Sequence, residues 1–184
     1  MTADTFFRDL PFTPDRFQVE AAESIASGRS VVVTAPTGAG KTLVAEVAVH
    51  LALERGQRAF YTTPIKALSN QKYGDLVDYG AHRVGLLTGH NVVNGSADVV
   101  VMTTEVLRNM IYADGPSLDG VGVVILDEVH YLQDPFRGAV WEEVIIHAPR
   151  HIQMVALSAT IANAVAFSEW IESRRGPTDL IVAE

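Results

Sequence analysis

The chain has 184 residues, no cysteine and a net charge of −8, so one domain or one large lobe with its own core is expected, without disulfides or thiolate metal sites. Fourteen basic against 22 acidic residues exclude a broad basic face, and any hold on nucleic acid has to be local. No apolar run approaches the ~18 residues of a membrane span, and Asp4, Arg8 and Asp9 stand where a signal peptide would be apolar, which reads as a soluble, unexported, cytoplasmic protein without a membrane partner.

In chain order, the first informative stretch is Phe12-Thr13-Pro14-Asp15-Arg16-Phe17-Gln18. Pro14 and Asp15 make a helix start, and Phe17, Ala21, Ala22 and Ile25 then share one helical face until Gly28 ends it. Val31-Val32-Val33 reads as a strand that feeds the glycine loop Ala35-Pro36-Thr37-Gly38-Ala39-Gly40-Lys41-Thr42 and a helix running to about Glu54. Such a loop turns backbone N–H groups toward a polyphosphate at the positive end of a helix. Lys41 supplies a point charge for the β- and γ-phosphates of a nucleotide and Thr42 a hydroxyl for the bridging Mg²⁺, with Thr37, Gly38, Ala39 and Gly40 forming the cradle. The generic pattern has glycine where Ala35 stands, but the crowded turn lies at Gly38 to Lys41 and is retained. With this loop next in sequence, Phe12 can stack on adenine, and the Gln18 amide can donate to and accept from the adenine edge. Without the loop, the same two residues would read as a packed aromatic and a solvated amide.

Arg58 to Thr63 reads as a second strand, stopped by Pro64. A helix from Lys66 through Tyr79 to Gly80, a strand from Val84 to Leu87, the loop Thr88-Gly89-His90, a strand from Val99 to Met102 and a helix opened by Thr103-Thr104-Glu105 follow. Val121 to Leu126 is almost wholly apolar and ends in Asp127-Glu128-Val129-His130. Acids that emerge straight from a buried strand have a chemical role beside a phosphate cradle, where Asp127 can hold Mg²⁺ through water and Glu128 can orient and deprotonate an attacking water. No second histidine stands at a zinc spacing from His130, which reads as a polar linker out of the nucleotide site. A helix from Ala139 to His147, a strand from Ile152 to Leu157, the turn Ser158-Ala159-Thr160, a helix from Ala162 to Ser173 and a strand from Asp179 to Val182 complete the chain. Strands alternating with helices point to a three-layer, doubly wound, mostly parallel α/β sheet with ligands at the carboxyl ends of its strands.

In this order the segments resemble the motifs of superfamily-two helicases, and specifically the DEVH-box, superkiller-type helicases that assist RNA decay. Phe12 to Gln18 is similar to the adenine-reading Q motif, Ala35 to Thr42 to motif I, Thr63 to Lys72 to motif Ia and Thr103 to Met110 to motif Ib. Asp127 to His130 is similar to motif II and Ser158 to Thr160 to motif III, while Arg137-Gly138-Ala139-Val140-Trp141-Glu142-Glu143 marks the subgroup. The resemblance implies a RecA-like lobe, ATP and Mg²⁺ as cofactors, adenine recognition by Phe12 and Gln18, and catalysis by Lys41, Asp127 and Glu128. It further implies coupling through His130, Ser158 and Thr160. A grip on single-stranded nucleic acid, RNA favoured, falls to Pro64, Lys66, Thr88, Gly89, Thr104 and Arg108; Thr104 read alone is a helix cap. His90 stands where relatives usually carry an acid. The motifs of a second RecA-like lobe are missing from these 184 residues, and the end directly after a strand reads as a lobe boundary, so one lobe of a longer helicase is expected. A lobe of a DNA helicase or translocase, and a nucleotide-binding module without turnover, stay open beside it.

Overall fold

The computed structural model describes residues 3–77, 80, 83–113, 118–129 and 138–183. Helices α1 (Ala3–Arg8) and α2 (Arg16–Ala26) precede β1 (Ser30–Thr34) and α3 (Lys41–Glu54); β2 (Arg58–Thr63), α4 (Lys66–Leu76), β3 (Val84–Leu87), β4 (Val92–Val93), β5 (Val99–Thr103) and α5 (Thr104–Tyr112) follow. The chain continues through β6 (Val121–Leu126), α6 (Gly138–His147), β7 (Gln153–Ser158), α7 (Ala164–Arg175) and β8 (Thr178–Val182).

The strands form one sheet in the order β4-β3-β5-β2-β6-β7-β1-β8, and all neighbours are parallel except the β3–β4 pair. Successive side chains of a strand leave on opposite faces, and these strands are apolar on both. Val31 and Val33 enter a core with Ala21, Ile25, Val44 and Val47 of α2 and α3, whereas Val32 and Phe60 join Leu107, Trp141, Ile145 and Ile171 of α5, α6 and α7. Helices therefore cover both faces, the three-layer arrangement expected from the alternation of elements. Because the main strands run parallel, the loops after β1, β2, β5, β6 and β7 converge on one edge. Away from that edge, Arg175 reaches back from α7 and donates to the carbonyls of Ile145, Ala148, Pro149 and Ile152 at 2.7–3.0 Å. The half-buried guanidinium thereby satisfies the last turn of α6 and the segment leading to β7, and its burial lowers its pKa, with Arg150 adding to the effect.

Two elements lie outside the sequence reading: α1 has only six residues, and β4 is a two-residue exposed strand, so neither carries a periodic signal. Helix α4 ends at Leu76 with Val77 as its C-cap, short of the expected Gly80, because Gly74 and Asp75 are weak helix formers in its last turn. Tyr79 lies outside the described residues. Among the described residues no helix is long and apolar enough to cross a membrane.

Candidate nucleotide site and nucleic-acid groove

Strand β1 lies between β7 and β8, so the loop after it emerges inside the sheet edge. Gly38 and Gly40 hold φ of 83° and 92°, a region that side-chain-bearing residues avoid. A Cβ on Gly40 would also come within 2.6 Å of Gln18 Nε2. Ala35 needs no such freedom: it is buried, and its N–H donates to the Ser158 carbonyl at 3.1 Å, so alanine serves where the generic pattern has glycine. No side chain caps the N-terminus of α3, which leaves its first N–H groups and positive end for an anion. Lys41 Nζ is folded back on the loop, donating to the carbonyls of Ala35 (2.8 Å) and Pro36 (3.2 Å). Burial lowers the pKa of its ammonium, while Glu128 and Asp127 pull it back up.

Across from the loop, Asp127 leaves the end of β6 only 6% exposed. Its Oδ1 accepts from the Glu128 N–H at 2.8 Å, and its Oδ2 accepts from the Tyr61 hydroxyl. Burial first, then Asp127, pushes the Tyr61 pKa far up, so the phenol keeps the proton it donates. Glu128 holds φ of 58°, a left-handed conformation that costs roughly 1–3 kcal/mol outside glycine. Thr37, Gly38, Gly40, Lys41 and Thr42 from the loop and the start of α3, Asp127 and Glu128 directly after β6, and Lys72 from α4 line a single cavity of about 320 Å³.

Tyr61 and Lys72 escape the sequence reading. Their signals are faint: a polar hydroxyl inside the strand Arg58 to Thr63, and a lysine six places after Lys66 in a segment read only for strand contact. Only the order of the strands, with β2 beside β6, puts Tyr61 against Asp127.

Of the remaining expected nucleotide residues, Gln18 reaches the phosphate loop. Gln18 is buried at 5% exposure; its Oε1 accepts from the Asp15 N–H at 2.7 Å and its Nε2 donates to the Gly40 carbonyl at 2.9 Å. The amide therefore fastens the start of α2 to the phosphate loop. Phe12 is 54% exposed. Ser158 pairs with Thr34 in the β1–β7 register and donates its hydroxyl to the Ala159 carbonyl at 2.7 Å, while Thr160 is exposed. His130 and Arg137 lie outside the described residues.

A second hollow of about 710 Å³ opens beyond β2 and β5 and is lined by Pro64, Lys66, Gly89, Thr104, Arg108 and Trp141, among others. Five of the six expected strand contacts thus share one groove. The sixth, Thr88, is buried, and its Oγ1 accepts from the Asn91 N–H at 3.2 Å, so its side chain shapes the loop instead of lining the groove. The helix cap is Thr103, whose Oγ1 accepts from the Val106 N–H, not Thr104, whose hydroxyl donates to the Thr63 carbonyl at 3.2 Å. Arg108 lies 3.6 Å from Glu143 and 3.7 Å from Glu105. A separate hollow of about 650 Å³ between α2, α7 and β8 is lined by Glu20, Glu23, Glu169, Glu172 and Asp179, the wrong charge for a phosphate.

Fold and phosphate loop together define a RecA-like, nucleotide-binding α/β lobe. The DEAD/DEAH box helicase model matches residues 15–167, and the chain belongs to that family. It is 57% identical over 182 residues to the probable helicase HelY of Mycobacterium tuberculosis, covering 98% of this chain and 20% of that protein. The chloroplastic DExH-box ATP-dependent RNA helicase DExH15 of Arabidopsis thaliana is 48% identical over 179 residues, 94% of this chain and 15% of that one. Exosome RNA helicase MTR4 of Homo sapiens is 49% identical over 164 residues, 89% and 16%. Among solved structures, the DUF1998 helicase MrfA bound to DNA and AMPPNP is similar with a TM-score of 0.72 and 23% identity, over 92% of this chain and 27% of that chain; this is a likeness of fold. The chain spans a fifth or less of these curated relatives.

Proposed function

We propose that residues 1–184 are the first motor lobe of a longer ATP-dependent RNA helicase whose second RecA-like lobe belongs to the same parent chain. The observation that carries this reading is a shared edge: the Lys41 loop and the Asp127–Glu128 pair line one cavity, and the groove of Lys66, Thr104 and Arg108 opens beside it. Family membership supports nucleotide-driven work on nucleic acid, and the RNA helicases among the relatives support RNA.

In this reading the loop N–H groups and Lys41 bind the phosphates, Lys41 exchanging the Ala35 and Pro36 carbonyls for phosphate oxygens. Thr42 and Asp127 would hold Mg²⁺: hydroxyl and carboxylate are the hard oxygen donors it takes, completed by phosphate and water. When bound, Mg²⁺ neutralises charge on the phosphates. Glu128 orients and deprotonates the attacking water. Gln18 uses one N–H and one lone pair of its amide internally, so a second N–H and a second lone pair remain for adenine, and the exposed ring of Phe12 would stack on the base. Ser158 and Thr160, with His130, couple this site to the groove, where Pro64, Lys66, Gly89, Thr104 and Arg108 contact the strand backbone and Thr88 shapes its loop.

An arginine finger from another lobe is worth roughly 10³ to 10⁵ in rate. The 184-residue chain should therefore bind nucleotide without RNA-stimulated phosphate release, and the two-lobe parent should show that stimulation. Equal stimulation of the parent by DNA would remove the RNA assignment, and robust stimulated turnover by the isolated lobe would remove the two-lobe reading.

A further inference from the structure

Helix α4 carries charge toward both sites. Lys66, at its start, lines the groove; Lys72, about 9 Å further along the helix, lines the phosphate cavity. The Lys72 Nζ stands 3.5 Å from Thr42 Oγ1 and 6.0 Å from the ring centre of Tyr61, whose hydroxyl donates to Asp127. Glu46, one turn after Thr42 on α3, is close enough for Lys72 to favour its carboxylate against the burial that raises its pKa. An ammonium therefore lies among the oxygens around which a Mg²⁺–nucleotide would be seated.

We propose that Lys72 is a resident counter-cation of the nucleotide site, which balances these oxygens when Mg²⁺ is absent and withdraws from Thr42 when Mg²⁺–nucleotide is held there. This deepens the reading of Thr42 and Asp127 as the Mg²⁺-holding residues and rests on it. A Mg²⁺–oxygen bond is about 2.1 Å long, so an ammonium 3.5 Å from the same hydroxyl and a divalent ion repel strongly. The flexible four-carbon stem lets Lys72 swing aside. When Mg²⁺ is removed, the same ammonium attracts the bare polyphosphate. Lys72 consequently flattens the dependence of nucleotide affinity on Mg²⁺.

The test is a titration of the 184-residue chain with fluorescent ADP and with AMPPNP, each in excess Mg²⁺ and in EDTA, taking the affinity ratio as the readout. Lys72→Met should raise that ratio about tenfold, by weaker binding in EDTA together with tighter binding in Mg²⁺. Lys72→Arg keeps the charge and should stay near wild type. Lys72 is half-buried and lies off the buried positions Ser69 and Leu76 of its helix, so both variants should melt with the wild type. Equal weakening in both buffers would make Lys72 an ordinary phosphate ligand and overturn the inference, as would an unchanged ratio. A wild-type chain that binds nucleotide with no Mg²⁺ enhancement would instead overturn the Thr42–Asp127 reading, and the inference with it.

Discussion

Replacing Tyr61 by Phe removes one oxygen from the floor of the nucleotide site and leaves the ring, with its packing and its approach to Lys72, in place. That oxygen donates to Asp127 Oδ2, in a site where Tyr61 is 1% and Asp127 6% exposed, so water cannot readily take its part. A hydrogen bond to a charged group is worth roughly 1.5–3 kcal/mol, and we expect Tyr61→Phe to cost about 2 kcal/mol. For a chain of this size that lowers Tm by about 4–8 °C. Urea denaturation of Tyr61→Phe, Asp127→Asn and the double variant should give a coupling energy of about 1–2 kcal/mol. The pH dependence has a definite sign. Tyr61 stays protonated in the fold while the unfolded phenol ionises near pH 10, so the unfolded state binds fewer protons above that pH. Stability then falls as pH rises, and the wild-type advantage over the Phe variant should be full at pH 7 and shrink above about pH 10. A Tyr61→Phe protein within about 0.5 kcal/mol of wild type at pH 7 would refute the reasoning.

Glu128→Gln in the two-lobe parent should cut ATP turnover by about 10²-fold or more, with nucleotide affinity nearly unchanged, because the amide cannot take a proton; steady-state rates beside equilibrium titration check it. Glu128→Gly should likewise stop turnover yet raise the free energy of unfolding, read from urea curves, by up to about 1 kcal/mol, since glycine adopts φ of 58° without strain. Gln18→Ala removes both internal bonds of the amide, so it should cost about 1–2 kcal/mol and narrow the preference for ATP over GTP in competition titrations; equal preferences in variant and wild type would move adenine recognition elsewhere. Arg175→Met leaves four carbonyls, from the last turn of α6 to the start of β7, without their charged donor and should lose about 3 kcal/mol or more, read from urea curves at constant m.

The phosphate loop and the acids after β6 were legible because each is a local event: a turn that needs glycine, and charge issuing directly from an apolar strand. The parallel sheet was legible for the same reason, since alternating apolar runs and helical faces are short-range patterns. What the sequence hides depends on strand order. Nothing near Tyr61 in the chain says that β2 lies beside β6, nor does the spacing between Lys66 and Lys72 say that α4 passes from the groove to the phosphate cavity. Thr103 and Thr104 show the limit at single-residue scale. Both are hydroxyls before a helix, and only the position of the Thr63 carbonyl decides which one caps and which one ties the helix to β2.

The carboxyl end of β2 belongs to both sites. The Thr62 carbonyl accepts from the Asp127 N–H at 3.0 Å, and the Thr62 hydroxyl donates to the Ile125 carbonyl at 2.9 Å, which fixes the acidic pair to this strand. One residue on, the Thr63 carbonyl accepts from the Thr104 hydroxyl, and the Thr63 hydroxyl bonds the Ile65 carbonyl and the Ser69 hydroxyl at 2.9 and 2.7 Å. That second set fixes the wall of the groove. Tyr61, Thr62 and Thr63 thus form a run of three residues, each bonded to one site or the other and buried in a close-packed sheet that transmits small displacements instead of absorbing them. Arg108 is different in kind: its carboxylate neighbours lie at 3.6–3.7 Å on a partly exposed surface, where ion pairs are weak and a phosphate can replace them. In the proposed function the stiff strand end would set position, and the exchangeable cation would adapt to the ligand. Such a division suits an acidic chain, because backbone groups and hydroxyls held in place can orient a polyanion where bulk positive charge is lacking.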